Sequence, residues 1–267
     1  PGGQLNRWEM YDARKEPTMA ELNRRGFGKL IAGGALAAAA APALAPTSML
    51  GTAQAAGRAQ RKARLTGADM YTAHNWQVAG TDLGIPYVLE NGSIGYLFGD
   101  TFSTMSPEGG GNHRSPVMLR SAKHPNDGIV FDSAAKVRGN APAPELIWNA
   151  HGGNVAGQHE FTVIPNDGIS FPETGRQVLS FMSMDNWKHP RGFRSGFAGL
   201  AYSDNGNDFK RVPAHWFNTP ENINAFQMWT MQRDGDFVYV FSVCSGRQHG
   251  PMMLQRVHWT RILDKNA

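Results

Sequence analysis

The chain has 267 residues, a single cysteine, and 26 basic against 22 acidic side chains, a formal charge of +4. Ten of the basic and four of the acidic residues fall within 1–64, so the remaining 16 and 18 leave the body of the chain at −2. Nothing in that balance suggests a nucleic-acid footprint in the body, which would need Lys and Arg clustered on one face, and no nucleic-acid partner is expected. A lone Cys244 excludes any internal disulfide.

Met19 is a natural start, which makes residues 1–18 an upstream extension. Residues 19–56 read as a twin-arginine export leader. Arg24 and Arg25 precede an Ala-rich apolar stretch from Leu30 to Ala45, and Ala53-Gln54-Ala55 supplies small residues for cleavage. Pro42 and Pro46 interrupt the stretch, so it makes no stable membrane span, and the lack of a polar face argues against an amphipathic helix. Arg24 and Arg25 are then the contacts to the export machinery, and the mature protein is expected outside the cell or in its envelope. Such export carries folded chains, which suits a domain without disulfides.

From residue 57 to 267 helical periodicity is almost absent. Short β-rich runs recur between Gly, Pro, Asn and Asp clusters: Tyr87 to Leu89, Ile94 to Phe98, Val117 to Arg120, Phe161 to Ile164 and Val178 to Met182. Gly199 to Tyr202, Phe226 to Met231, Phe237 to Val243 and Met252 to Val257 continue the series. Asn91-Gly92 between the first two runs is a hairpin turn. The fold class is therefore all-β.

The runs also rhyme: Tyr96 to Asp100 then Val117 to Ser121, Leu179 to Ser183 then Gly199 to Ser203, Tyr239 to Val243 then Met253 to Val257. A long repeat of strand, insert, strand predicts a five-bladed β-propeller of which about three to four blades are present, with a β-sandwich as the alternative. Asp204-Asn205-Gly206-Asn207-Asp208-Phe209 has the spacing of an Asp-box turn, with Tyr202 where Ser or Thr is usual. Cys244, at the end of an apolar strand, is expected to be a buried structural thiol. The sequence stops soon after the last run, and a ring must close to remove its edges, so further C-terminal sequence is expected.

Candidate chemistry lies at the strand openings, since a propeller delivers its inner strands to one axis. Asp82 opens the first unit, His159 and Glu160 the second, and Asn224, Gln227 and Trp229 the third. Asp100 ends the second run and shares the face of Tyr96 and Phe98 unless Gly99 bulges the strand. Two carboxylates in different environments are what glycoside hydrolysis requires, one as acid and one as base or nucleophile. Ordinary turn-capping is the competing reading for each acid alone. Arg114 follows a Gly-rich loop and either reaches a substrate hydroxyl or is simply solvated. The histidines show no metal-ligand spacing and no G-x-S-x-G elbow is present, so neither a metal, another cofactor nor a serine triad is expected.

Gly80-Thr-Asp-Leu-Gly-Ile-Pro86, Gly95-Tyr-Leu-Phe-Gly-Asp-Thr-Phe102, Arg114-Ser-Pro-Val-Met-Leu-Arg-Ser121 and Gly128-Ile-Val-Phe-Asp-Ser-Ala134 together resemble domain of unknown function 4185, glycoside hydrolase family 183. The resemblance covers most of residues 66–266. It implies a five-bladed propeller acting as an endo-D-arabinofuranase on the arabinan of mycobacterial-type arabinogalactan and lipoarabinomannan, with its acidic pair falling on Asp82 and Asp100. Residues 57–267 are thus expected to be a catalytic domain lacking its last blade. The alternative is a non-catalytic sugar-binding propeller of the envelope.

Overall fold

The structure, a computed structural model, describes residues 63–105 and 111–267. The leader and most of the glycine-rich loop before Gly111 lie outside these residues. The regular secondary structure of the described residues is nearly all strand, arranged as successive antiparallel meanders. Strands β1 (Gly80–Val88), β2 (Ile94–Phe102), β3 (Val117–Ser121) and β4 (Ser133–Ala134) form the first sheet in that order. After a small hairpin of β5 (Gly153–Val155) and β6 (Gln158–Glu160), β7 (Thr162–Phe171), β8 (Arg176–His189), β9 (Gly192–Ser203) and β10 (Lys210–Phe217) form the second. A third is built from β11 (Met228–Asp234), β12 (Phe237–Val243) and β13 (Met253–His258). No sheet closes on itself among the described residues.

The rhyming runs of the sequence are the second and third strands of the three sheets: β2 with β3, β8 with β9, β12 with β13. Of the first strands of the successive sheets, β1 and β11 each pack against β7. Asn91-Gly92 makes the turn between β1 and β2, with Gly92 at φ 82° and the Asn91 carboxamide accepting from the Ser93 amide at 3.0 Å. Three features escaped the sequence reading: β10, interrupted by Pro213; the short strands β4 to β6; and one helix, α1 (Tyr71–Trp76). The second sheet is also longer than its apolar runs, because polar residues such as Asp185 and Asn186 continue β8 beyond the core.

Side-chain alternation splits the core between the sheets. Tyr96 and Phe98 face one cluster with Val117, Leu119 and Phe131, whereas Leu97 faces another with Met118, Val163, Leu179 and Phe181. The latter cluster joins the first sheet to the second. A further cluster around Trp229, Trp216, Phe226, Leu200 and Val240 joins the second to the third. Each such large side chain contributes about 1.5–3 kcal/mol by leaving water, so the seams as well as the sheets hold the unit together.

The Asp-box-like segment is the β9–β10 turn. Asn205 Oδ1 accepts from the amides of Asn207 (2.9 Å) and Asp208 (2.8 Å), and Arg120 of β3 donates to the Gly206 carbonyl. The turn thereby ties the first sheet to the second. Cys244 lies just past β12 and is only half-buried, its thiol donating to the Ile223 carbonyl at 3.3 Å, because the chain leaves the sheet one residue before it.

Candidate functional site

Asp82 and Asp100 are brought together by a pair of compensating bulges. In the β1–β2 ladder Thr81 faces Thr101 and Leu83 faces Phe98, so two residues of β2, Gly99 and Asp100, stand opposite one of β1, Asp82. The register is restored where Leu83 and Ile85 face the adjacent Phe98 and Leu97, the extra residue now being Gly84 of β1. Asp100 is accordingly inside β2 and not at its end, and the bulge re-aims it away from the buried face of Tyr96 and Phe98. Gly99 sits under the Asp82 carboxylate so closely that a Cβ there would collide with it.

The two acids have different surroundings. Asp82 is exposed as a residue, yet its carboxyl is crowded by the bulged backbone. Desolvation and, second, the neighbouring charge of Asp100 push its pKa from 3.8 up to about 6, against opposing backbone amides of Asp100, Asp82 and Gly99. Asp100 Oδ1 instead pairs with His113 Nε2 at 2.9 Å and accepts from the Thr162 hydroxyl at 3.2 Å. One acid thus keeps its proton to a higher pH than an ordinary carboxylate while the other is oriented by two partners, the kind of asymmetry that separates a proton donor from a base.

The partners of Asp100 are placed by long-range packing. An isolated bridge between Thr101 and Arg114 closes the loop after β2 and brings His113 back over Asp100. His113 stacks on Phe102, ring centroids 4.9 Å apart, and meets the edge of His151 at 5.7 Å. His151 Nε2 lies 2.8 Å from Glu145 Oε1, which also accepts from the Ser115 amide at 3.0 Å. Thr162 opens β7, the position in its sheet that corresponds to the start of β1, and also receives the Asn149 carboxamide at 3.2 Å. None of His113, Thr162, His151, Glu145 and Asn149 was nominated from sequence. The signal available was the position of Thr162 at an inner-strand opening.

The other nominated residues are not at the pair. Arg114 is buried and spends its guanidinium on the carbonyls of Ala143 (2.6 Å), Gln77 (2.5 Å), Asn112 (2.8 Å) and Trp76 (3.3 Å). Burial lowers its pKa to about 10. It fixes the loop that carries His113. Glu160 is fully buried in a two-bond pair with Arg211 at 2.7 and 2.9 Å, while its neighbour His159 is exposed beside Asp185. Gln227 is buried between Trp216, Phe226 and Ser195, Asn224 caps the preceding turn, and Trp229 lies in the core against Trp216 and Phe226. A short β-rich run shows that a residue is near an inner strand; it does not show which face the residue takes. Among the described residues no group of three or more His, Cys, Asp or Glu is placed to hold a metal ion, and no helix is long and apolar enough to cross a membrane.

An all-β chain of successive antiparallel meanders with a carboxylate pair on its first hairpin defines the class of protein. Residues 67–267 match the model of DUF4185, domain of unknown function, and the chain belongs to that family. Its sequence is 54% identical over 207 residues, 76% of this chain and 57% of the relative, to the notoamide biosynthesis cluster protein J' of Aspergillus versicolor. The identity is 53%, covering 76% of this chain and 55% of the relative, to the notoamide biosynthesis cluster protein J of Aspergillus sp. (strain MF297-2). The chain thus spans somewhat more than half the length of these curated relatives. Among solved structures, the GH32 β-fructofuranosidase BmSUC1 of Bombyx mori superposes with a TM-score of 0.41 at 15% identity, over 67% of this chain and 33% of that one.

Proposed function

We propose that this chain is the catalytic part of a glycoside hydrolase that cleaves D-arabinan, with Asp82 as proton donor and Asp100 as the base that activates water. The observation that carries the reading is the asymmetric pair: Asp82 held to about 6 beside an Asp100 oriented by His113 and Thr162. The supporting architecture is a propeller, for which the matching order of strands in three sheets and the packing of β1 and β11 against β7 speak. In that arrangement the starts of β1 and β7 approach one axis. The arabinan as substrate follows from the family resemblance, and the place of action outside the cell from the leader read at residues 19–56.

In the proposed step the proton of Asp82 passes to the leaving glycosidic oxygen as the anomeric bond breaks. Water adds to the anomeric carbon and gives its proton to Asp100, with inversion as the expected outcome. Asp82 must be protonated at the start, so kcat/KM falls as pH rises through about 6. The test is release of oligosaccharides from mycobacterial arabinogalactan by the full-length protein, compared with Asp82→Asn and Asp100→Asn. Each variant is expected to lose roughly 10²–10⁴-fold in rate. The names of the Aspergillus relatives speak of a biosynthetic cluster and not of a polysaccharide, so small aryl glycosides are assayed alongside. Unchanged product release by both variants overturns the assignment.

A further inference from the structure

Trp148 is 61% exposed, an unusual state for the largest apolar side chain, and it borders an open cleft of about 590 Å³. The cleft is also lined by His113, Lys136, Glu145, His151 and Phe209. His113 belongs to both places: it faces the cleft and lies 2.9 Å from Asp100. His113 is thus the side chain that the cleft and the acid pair share.

The indole is fixed as well as exposed. Arg211 donates to the Trp148 carbonyl at 2.5 Å, and its guanidinium carbon lies 5.1 Å from the centre of the ring. Arg211 is itself locked by its two bonds to the buried Glu160. An aromatic surface held in this way costs little ordering entropy when a ligand lies against it. The surrounding polar groups are also held in place: the Lys136 ammonium donates to the Glu145 backbone carbonyl at 2.9 Å, and the Glu145 carboxylate lies against His151. A wall with one flat apolar face and several hydrogen-bonding groups suits a polyol whose C–H face stacks on the ring while its hydroxyls meet the polar rim.

We propose that the Trp148 cleft is a glycosyl subsite, holding a sugar ring of the same chain whose bond is cut at Asp82 and Asp100. The class of ligand rests on the hydrolase reading above. Its test is separable from that reading, because binding is measured without turnover. D-arabinofuranosyl oligosaccharides are titrated calorimetrically into full-length Asp82→Asn, and into the same protein carrying Trp148→Ala or Trp148→Phe. Trp148→Ala is expected to weaken binding roughly tenfold and Trp148→Phe by no more than about threefold, with both melting as Asp82→Asn does, since the ring is exposed. Equal affinity in Asp82→Asn and its Trp148→Ala derivative overturns the subsite, as does absence of oligosaccharide binding by Asp82→Asn. If Asp82→Asn still hydrolyses arabinan, the acid assignment falls, while a loss of affinity at Trp148 continues to support the subsite.

Discussion

A carboxyl group whose pKa is 3.8 in the unfolded chain and about 6 in the fold prefers its proton in the native state. Below 3.8 both states are protonated and Asp82 contributes no pH-dependent cost. Between 3.8 and 6 the unfolded chain loses its proton while the fold keeps it, so stability falls as pH rises, and above 6 the cost is complete. Asp82→Asn is therefore expected to melt higher than the parent above pH 6, with the gap closing towards pH 3.8. A gap of the same size across a melting series over that range would contradict the shift. Glu160 makes the opposite case. It is fully buried, and truncation to Ala leaves the Arg211 guanidinium uncompensated in the interior. Glu160→Ala is expected to lose about 3–5 kcal/mol in denaturant unfolding. Gln at the same position, which keeps the size and one acceptor, is expected to lose less.

At the scale of the element, the β1–β2 hairpin both carries and constrains the pair. Gly99→Ala would drive a methyl group into the Asp82 carboxylate and to 3.1 Å from Leu83 Cδ1. Because Asp82 is at the surface, the strand can relieve the clash by turning the carboxylate away. The expected result is a large fall in kcat with a loss of stability no greater than the roughly 1–3 kcal/mol of ordinary overpacking. Full activity in Gly99→Ala would show that the bulge does not set the pair. The hairpin itself was legible, since Asn91-Gly92 and the alternation from Ile94 to Phe98 are local signals. The bulge was legible as an option at Gly99. The partners of Asp100 were not, because His113 returns through the Thr101–Arg114 bridge and Thr162 comes from another sheet, neither of which leaves a periodic trace. Arg114 and Glu160 were misjudged for a related reason: in sequence, a buried charge paired to carbonyls or to another charge looks the same as one aimed at a ligand.

At the scale of the whole molecule, the question is whether the sheets unfold separately or as one unit. Their rhyme in sequence suggested modules, yet the contacts run across the seams. Tyr87 of β1 projects into the second sheet, where its buried hydroxyl donates to Gln177 Oε1 of β8 at 2.7 Å and sits 3.2 Å from the Met118 sulfur. Gln177 in turn donates to Glu90 Oε2 at 2.6 Å, just past the end of β1. Around these bonds Leu97, Met118, Val163, Leu179 and Phe197 form one cluster drawn from both sheets. Burial also pushes the Tyr87 hydroxyl pKa upward, so it remains a donor at any physiological pH. Tyr87→Phe keeps the ring and strands the Gln177 acceptor, at a cost of about 1–3 kcal/mol. If the seam makes one cooperative unit, that loss is shared: slow-exchanging amides of β2 and of β8 should speed up by the same factor, roughly tenfold to a hundredfold. Acceleration confined to the first sheet would mean that the sheets open independently and that the acid pair rides on a hairpin the rest of the fold does not steady.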